Sequence, residues 1–249
     1  MQTKVLLSST VAMPSIEKAF QLADEHGCSG VELMPFRWTR VDYIEGLAAK
    51  HYAAVSGIHF PFRWHTQKLR QEMASETRPL FGLLRLLYWP IFGCGHLSCP
   101  AMKLSQAFPK AYRLFHPEVY LQAGKEACYV DGEICFENHR KLGLQPEVWD
   151  PEILQNELIE LWPKRFLMFD PWHAAISQPK PIPQLFRRLR PAGLHFSFGD
   201  NEKIHRLPTP KEWEDLSAVI REQNCLRYLV IEVREVGKAR RMIEDTLGI

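Results

Sequence analysis

No stretch of this 249-residue chain is apolar for long enough to span a bilayer. The nearest candidate, Leu80 to Phe92, is interrupted by Arg85 and Pro90. The opening Met1-Gln-Thr-Lys-Val-Leu-Leu lacks the apolar run and cleavage site of a secretory leader, so the expectation is a cytoplasmic protein that does not engage a membrane. Paired cysteines of the CxxC kind are also missing. The six cysteines (28, 94, 99, 128, 135 and 225) are scattered, which suits reduced thiols. Cys94 and Cys99 bracket His96, but without a second pair that spacing falls short of a structural zinc site. Charge of one sign is not in excess either. With 31 basic against 29 acidic residues the formal net charge is +2, and no global field draws the chain to nucleic acid. No GxGxxG follows the first apolar run, which removes the main reason to expect a dinucleotide fold. Linker-like and low-complexity segments are lacking, so residues 1–249 read as one domain.

What is there is an alternation of short apolar runs with helical stretches. Lys4-Val-Leu-Leu-Ser8 reads as a first strand. Ser15 caps a helix whose apolar residues Ile16, Ala19, Phe20 and Ala23 share one face, and Gly27 ends it. Strands are expected at Gly30 to Met34, Ala53 to His59, around Gly95 to Pro100, Glu133 to Glu137, Phe166 to Phe169, Gly193 to Ser197 and Tyr228 to Val233. Between them the pattern predicts helices at Val41 to Lys50, Gln67 to Leu87, Pro117 to Glu126, Pro151 to Leu161 and Trp213 to Glu222, with a closing helix at Gly237 to Leu247. Parallel strands need helical crossovers, and near-continuous apolar runs suit strands covered on both faces. Eight such units in this length favour an α/β fold of the closed (β/α)8, or TIM, barrel type.

The polar residues fall where a barrel does its chemistry, at the C-terminal ends of strands. Those ends carry Glu32, His59, Glu137, Asp170, His195 and Glu232, with His173 three residues beyond Asp170. Charged residues are rarely buried without partners. Glu137, Asp170, Glu232 and His195 together offer the oxygen and nitrogen donors of a divalent metal site. Blander readings stand beside this one. Asp170 can cap a helix carrying His173, and Glu232 can pair with Arg234 or Arg206. His59 suits ligation, substrate contact or support equally, and Glu32 an orienting or a salt-bridging role.

The ordered set Gly57-Ile-His59, Phe136-Glu-Asn138, Phe169-Asp-Pro-Trp-His173, Leu194-His195 and Ile231-Glu232 resembles the xylose isomerase-like TIM barrel superfamily. That group includes sugar isomerases and epimerases and endonuclease IV-type nucleases. The resemblance implies one divalent ion (Mn, Mg, Co or Zn) on Glu137, Asp170, His195 and Glu232. It also implies that His173 contacts a small sugar-like substrate, with His59 and Glu32 nearby. Glu137 and Glu232 would then move a proton through an enediolate, giving isomerisation or epimerisation. The alternative is a phosphodiesterase acting on abasic DNA with up to three zinc ions, recruiting His59 and His205 as well. Two departures weigh against it: Cys99-Pro100 where a His-Pro is expected at strand four, and Lys203-Ile-His205 where an Asp-x-His is expected. Arg37-Trp-Thr-Arg40 and Arg63-Trp-His65 would suit base stacking or a sugar-binding mouth. The Leu83 to Phe92 segment, if exposed, suits a homodimer contact.

Overall fold

A computed structural model describes residues 2–60, 100–115, 133–138, 165–177, 181–199 and 205–249. Eight parallel strands close into a barrel in chain order. They are β1 (Lys4–Ser8), β2 (Gly30–Leu33), β3 (Ala54–His59), β4 (Tyr112–Phe115), β5 (Ile134–Glu137), β6 (Arg165–Phe169), β7 (Gly193–Phe196) and β8 (Tyr228–Ile231). The ring is sealed where β1 runs beside β8, from Lys4 opposite Tyr228 to Leu7 opposite Ile231. The helices among the described residues are α1 (Ile16–Glu25), α2 (Val41–Lys50), α3 (Pro100–Ala107), α4 (Pro171–Ser177), α5 (Ile182–Leu189), α6 (Pro210–Gln223) and α7 (Val236–Leu247).

Local chemistry explains several of these boundaries. Ser15 Oγ accepts the Lys18 amide at 3.1 Å and starts α1. A capping box starts α6: Thr209 accepts the Glu212 amide, and the Glu212 side chain accepts the Thr209 amide. Asn224, with φ of 47°, ends α6 in the left-handed region that asparagine tolerates.

The strands sort their side chains between two faces, with one register shift between β2 and β3 where Val31 pairs with Val55 and Glu32 with Gly57. Leu6, Tyr112, Leu114, Cys135, Phe166, Met168 and Val230 fill the barrel interior. Their neighbours Leu7, Phe115, Phe136, Leu167, Phe169, Leu229 and Ile231 point outward and pack beneath the helices. Side chains alternate in a strand, so a residue two places beyond an interior one faces inward again. Glu137 lies two beyond Cys135, Asp170 two beyond Met168 and Glu232 two beyond Val230. The same parity that packs the barrel lifts these acids into its mouth. Burying each large apolar side chain stabilises the fold by roughly 1.5–3 kcal/mol, which offsets the cost of acids held above it.

Strand four is not where the sequence pattern placed it. It is Tyr112–Phe115, paired with β3 through Gly57 and Tyr112 and with β5 through Leu114 and Cys135. Pro100 does not close a strand but opens α3, a position where its missing N–H costs nothing. Residues 95–99 lie outside the described residues, as do the expected helices at 67–87, 117–126 and 151–161, the Arg63-Trp-His65 segment and the apolar 83–92 segment. Among the described residues no helix is long and apolar enough to cross a membrane, and Cys28, Cys135 and Cys225 are free thiols.

Candidate metal centre

Four consecutive strands deliver the first group of side chains. Ligand atoms of Glu137 (β5), Asp170 (the end of β6), His195 (β7) and Glu232 (the end of β8) all lie within 4.8 Å of one another. All four residues are buried, Asp170 and His195 completely. His195 Nδ1 sits 2.5 Å from Glu137 Oε1 and 3.4 Å from Glu232 Oε2. A second group, Glu32, His59 and Glu232, is equally close-set and shares Glu232 with the first.

The two carboxylate oxygens of Asp170 have different surroundings. Its Oδ1 accepts the His173 amide at 3.1 Å, capping the start of α4. Its Oδ2 is buried, with no hydrogen-bond donor among the described residues; His173 Nε2 is 3.5 Å away. Asn138 holds the Asp170 backbone from β5, its amide donating to the Asp170 carbonyl at 2.9 Å and its oxygen accepting the Asp170 N–H at 2.7 Å. The capping reading of Asp170 holds through Oδ1, and it leaves Oδ2 uncommitted.

Glu32 lies deeper. It is fully buried, its Oε2 accepts the Tyr112 hydroxyl at 2.5 Å, and both its oxygens are 3.4 Å from His195 Nε2. His59 bridges the groups, with Nδ1 3.5 Å from Glu32 and Nε2 3.7 Å from Glu137. His205 stands at the rim. Its side chain is 34 % exposed, 3.8 Å from Glu232, and its Nδ1 is 2.9 Å from Ser197 Oγ. Trp172 packs between the rings of His173 and His205, at 4.6 and 4.9 Å. Arg206, a salt-bridge candidate for Glu232, is engaged with Glu212 instead.

Burial and mutual repulsion set the charges. Burial, then the nearby Glu137 and Glu232, hold the Asp170 carboxyl well above the ordinary aspartate range. Burial alone would depress His195, but Glu137, Glu232 and Glu32 outweigh it and raise the ring well above an ordinary imidazole. His59 is raised in the same way by Glu32 and Glu137. Burial raises Glu32, yet His195 and His59 overcome that and bring its carboxyl to about 2. An orphaned buried carboxylate oxygen inside a set of three carboxylates and one imidazole fits a divalent ion of the oxygen- and nitrogen-preferring kind.

No family model matches the sequence, and no curated protein is similar to it at the sequence level. Solved structures are similar in three dimensions. A D-tagatose 3-epimerase-like protein is 16% identical with a TM-score of 0.66, over 99% of this chain and 97% of that one. The D-allulose 3-epimerase of Methylomonas sp., solved in complex with D-allulose, is 12% identical with a TM-score of 0.62, over 100% and 90%. An AP endonuclease of family 2 from Brucella melitensis is 12% identical with a TM-score of 0.56, over 99% and 98%. A fusion protein containing a xylose isomerase-like TIM barrel also matches, at a TM-score of 0.61. The fold is that of the xylose isomerase-like barrels. At such identities the likeness speaks for the fold alone.

The corrected strand order moves the position after strand four at which a His-Pro was expected. The His-Pro expected after strand four is not Cys99-Pro100. The chain reads His116-Pro117 immediately after β4, just outside the described residues. Correct placement of Tyr112–Phe115 as a strand is the signal that would have found it. Asn138, Ser197 and Tyr112 were missed for a different reason: a neutral polar residue carries no sign in the sequence of what it will touch.

Proposed function

We propose that this protein is a divalent-metal-dependent isomerase or epimerase of a sugar or small hydroxy-carbonyl compound. The observation that carries the reading is the convergence of Glu137, Asp170, His195 and Glu232, from four successive strands, to within 4.8 Å. Those four residues would hold the ion. Bound there, it would polarise a substrate carbonyl and offset the negative charge that builds on its oxygen. The protein's own groups do the rest. Glu137 and Glu232 supply two carboxylates in one buried mouth, one to take a proton from the carbon beside the carbonyl and one to return it through an enediolate. His173, held on the first turn of α4 by Asp170 and packed on Trp172, offers a ring to a substrate hydroxyl. The solved epimerases of D-tagatose-like and D-allulose type lend support to the substrate class.

A second reading draws on one specific observation. His116-Pro117 follows β4 directly, which removes one of the two objections to an abasic-site phosphodiesterase; the Lys203-Ile-His205 departure stands. Metal analysis of the untagged protein separates the two. About one Mn, Co, Zn or Mg per chain, lost in Glu137→Gln and His195→Ala, together with turnover of a ketose, is the expected result. Two or three zinc ions with cleavage of an abasic oligonucleotide would replace the first reading by the second. No metal, even after reconstitution, would remove both.

A further inference from the structure

We propose that Glu32 and Tyr112 are positioning residues that fix the ring of His195 from beneath, so that its Nδ1, and not its Nε2, is presented to the metal. The inference rests on the metal-site reading above.

The geometry begins with a row across three strands. Glu32 on β2 is in register with Gly57 on β3, and Gly57 is in register with Tyr112 on β4. All three therefore face the barrel interior. Gly57 contributes no side chain, and the Tyr112 ring occupies the space that one would fill. A Cβ built on Gly57 would lie 2.4 Å from Tyr112 Cζ and 2.7 Å from its hydroxyl oxygen. Lying across the glycine, the tyrosine reaches past β3 and donates to Glu32 Oε2 at 2.5 Å. Its ring is fixed from the other side by Phe166 and Tyr228, at centroid distances of 5.5 and 4.9 Å. Tyrosine rooted in the inner core thus sets the carboxylate above it.

The carboxylate in turn meets His195. Both oxygens of Glu32 are 3.4 Å from Nε2, on the side of the ring away from Glu137 and Glu232. Nδ1 faces those two acids at 2.5 and 3.4 Å. A neutral imidazole has one N–H and one lone pair. A carboxylate behind Nε2 favours the proton there and leaves the Nδ1 lone pair for a cation. Partners of this kind fix tautomer and ring orientation, and their loss typically lowers metal affinity about 10–100-fold. Without the Tyr112 hydroxyl the carboxylate would lose its shortest bond and keep only the longer contacts to His195 and His59.

The test uses the full chain with cobalt and zinc as probes. In zinc-loaded protein labelled with 15N-histidine, the His195 signals are expected to show a metal-bound Nδ1 and a protonated Nε2. Zinc on Nε2 would overturn the proposal, with no variant required. Glu32→Gln, of equal size, is expected to weaken cobalt binding about 10–100-fold and to change the cobalt visible spectrum. Tyr112→Phe, which keeps the ring packing and the charge, should weaken binding less than Glu32→Gln does and move the spectrum in the same direction. Variants with unchanged circular dichroism, wild-type cobalt affinity and a wild-type spectrum would refute the relay while leaving the metal site intact. Wild-type protein that binds neither ion would remove the metal reading and this inference together.

Discussion

Gly57→Ala is the smallest change that probes the interior row. Its Cβ would lie 2.4 Å from Tyr112 Cζ, 2.6 Å from Cε2 and 2.7 Å from the hydroxyl oxygen, about an ångström inside ordinary contact. The ring is fully buried and pinned by Phe166 and Tyr228, so it can yield only by strain. Overpacking of a well-filled core costs roughly 1–3 kcal/mol. Displacing the hydroxyl also breaks its bond to the Glu32 carboxylate, and hydrogen bonds to charged groups contribute about 1.5–3 kcal/mol. The expected loss is therefore about 2.5–6 kcal/mol, less a few tenths to 1 kcal/mol regained because alanine restricts the unfolded chain. Guanidinium unfolding of wild type, Gly57→Ala, Tyr112→Ala and the double variant closes the cycle. With the ring gone, the three atoms nearest that methyl group are gone too. Gly57→Ala should then be neutral or slightly stabilising in the Tyr112→Ala background. A single-variant loss under about 1 kcal/mol, or an equal loss in both backgrounds, would refute the reasoning.

Four further outcomes follow from the same structure. Asn138→Ala removes both bonds that hold the Asp170 backbone, so it should destabilise the fold by about 2–3 kcal/mol by denaturant titration and weaken metal binding. Thr209→Ala breaks the capping box of α6 and should cost about 1 kcal/mol. The part contributed by Glu212, whose carboxyl is drawn down to about 2 chiefly by Arg206, is present above pH 4.5 and lost as pH falls towards 2; acid titrations of wild type and Glu212→Gln read it. In metal-free protein the raised pKa of His195 contributes stability that is complete below 6.5, the ordinary imidazole value, and is lost as pH rises through the folded value. The melting temperature should therefore fall on the alkaline side without metal and fall less with it, because a cation replaces the proton. A flat profile from pH 6.5 to 9 would contradict this.

Most strands were legible because an apolar run bounded by glycine or a polar cluster has few other uses. Lys4–Ser8 and the starts of β2, β7 and β8 follow directly from such runs. The exception is instructive. Tyr112–Phe115 has a charge at its second position, and Arg113 interrupts the run that would mark a strand. Folded, Arg113 is buried on the outer face, where its guanidinium donates to the carbonyls of Ser105 and Ala111, each at 2.6 Å. A charge solvated by backbone oxygens cannot be distinguished in sequence from one left in water. The acids and histidines of the mouth were legible for the converse reason, since each ends an apolar run that would otherwise exclude it. What the sequence withheld was direction: which nitrogen of His195 faces which acid, and that Glu32 rests on a tyrosine 80 residues away.

The seam between β1 and β8 has a consequence for assembly. Glu232 follows directly on the strand that closes the ring, so the residue shared by both ligand groups is brought into place only when β8 docks beside β1. A chain stalled before that step has two open edges, each a template for pairing with another copy. A cation that binds only the completed mouth would draw the population away from such intermediates by mass action. Availability of the ion would then govern how much of the newly made protein reaches its closed form.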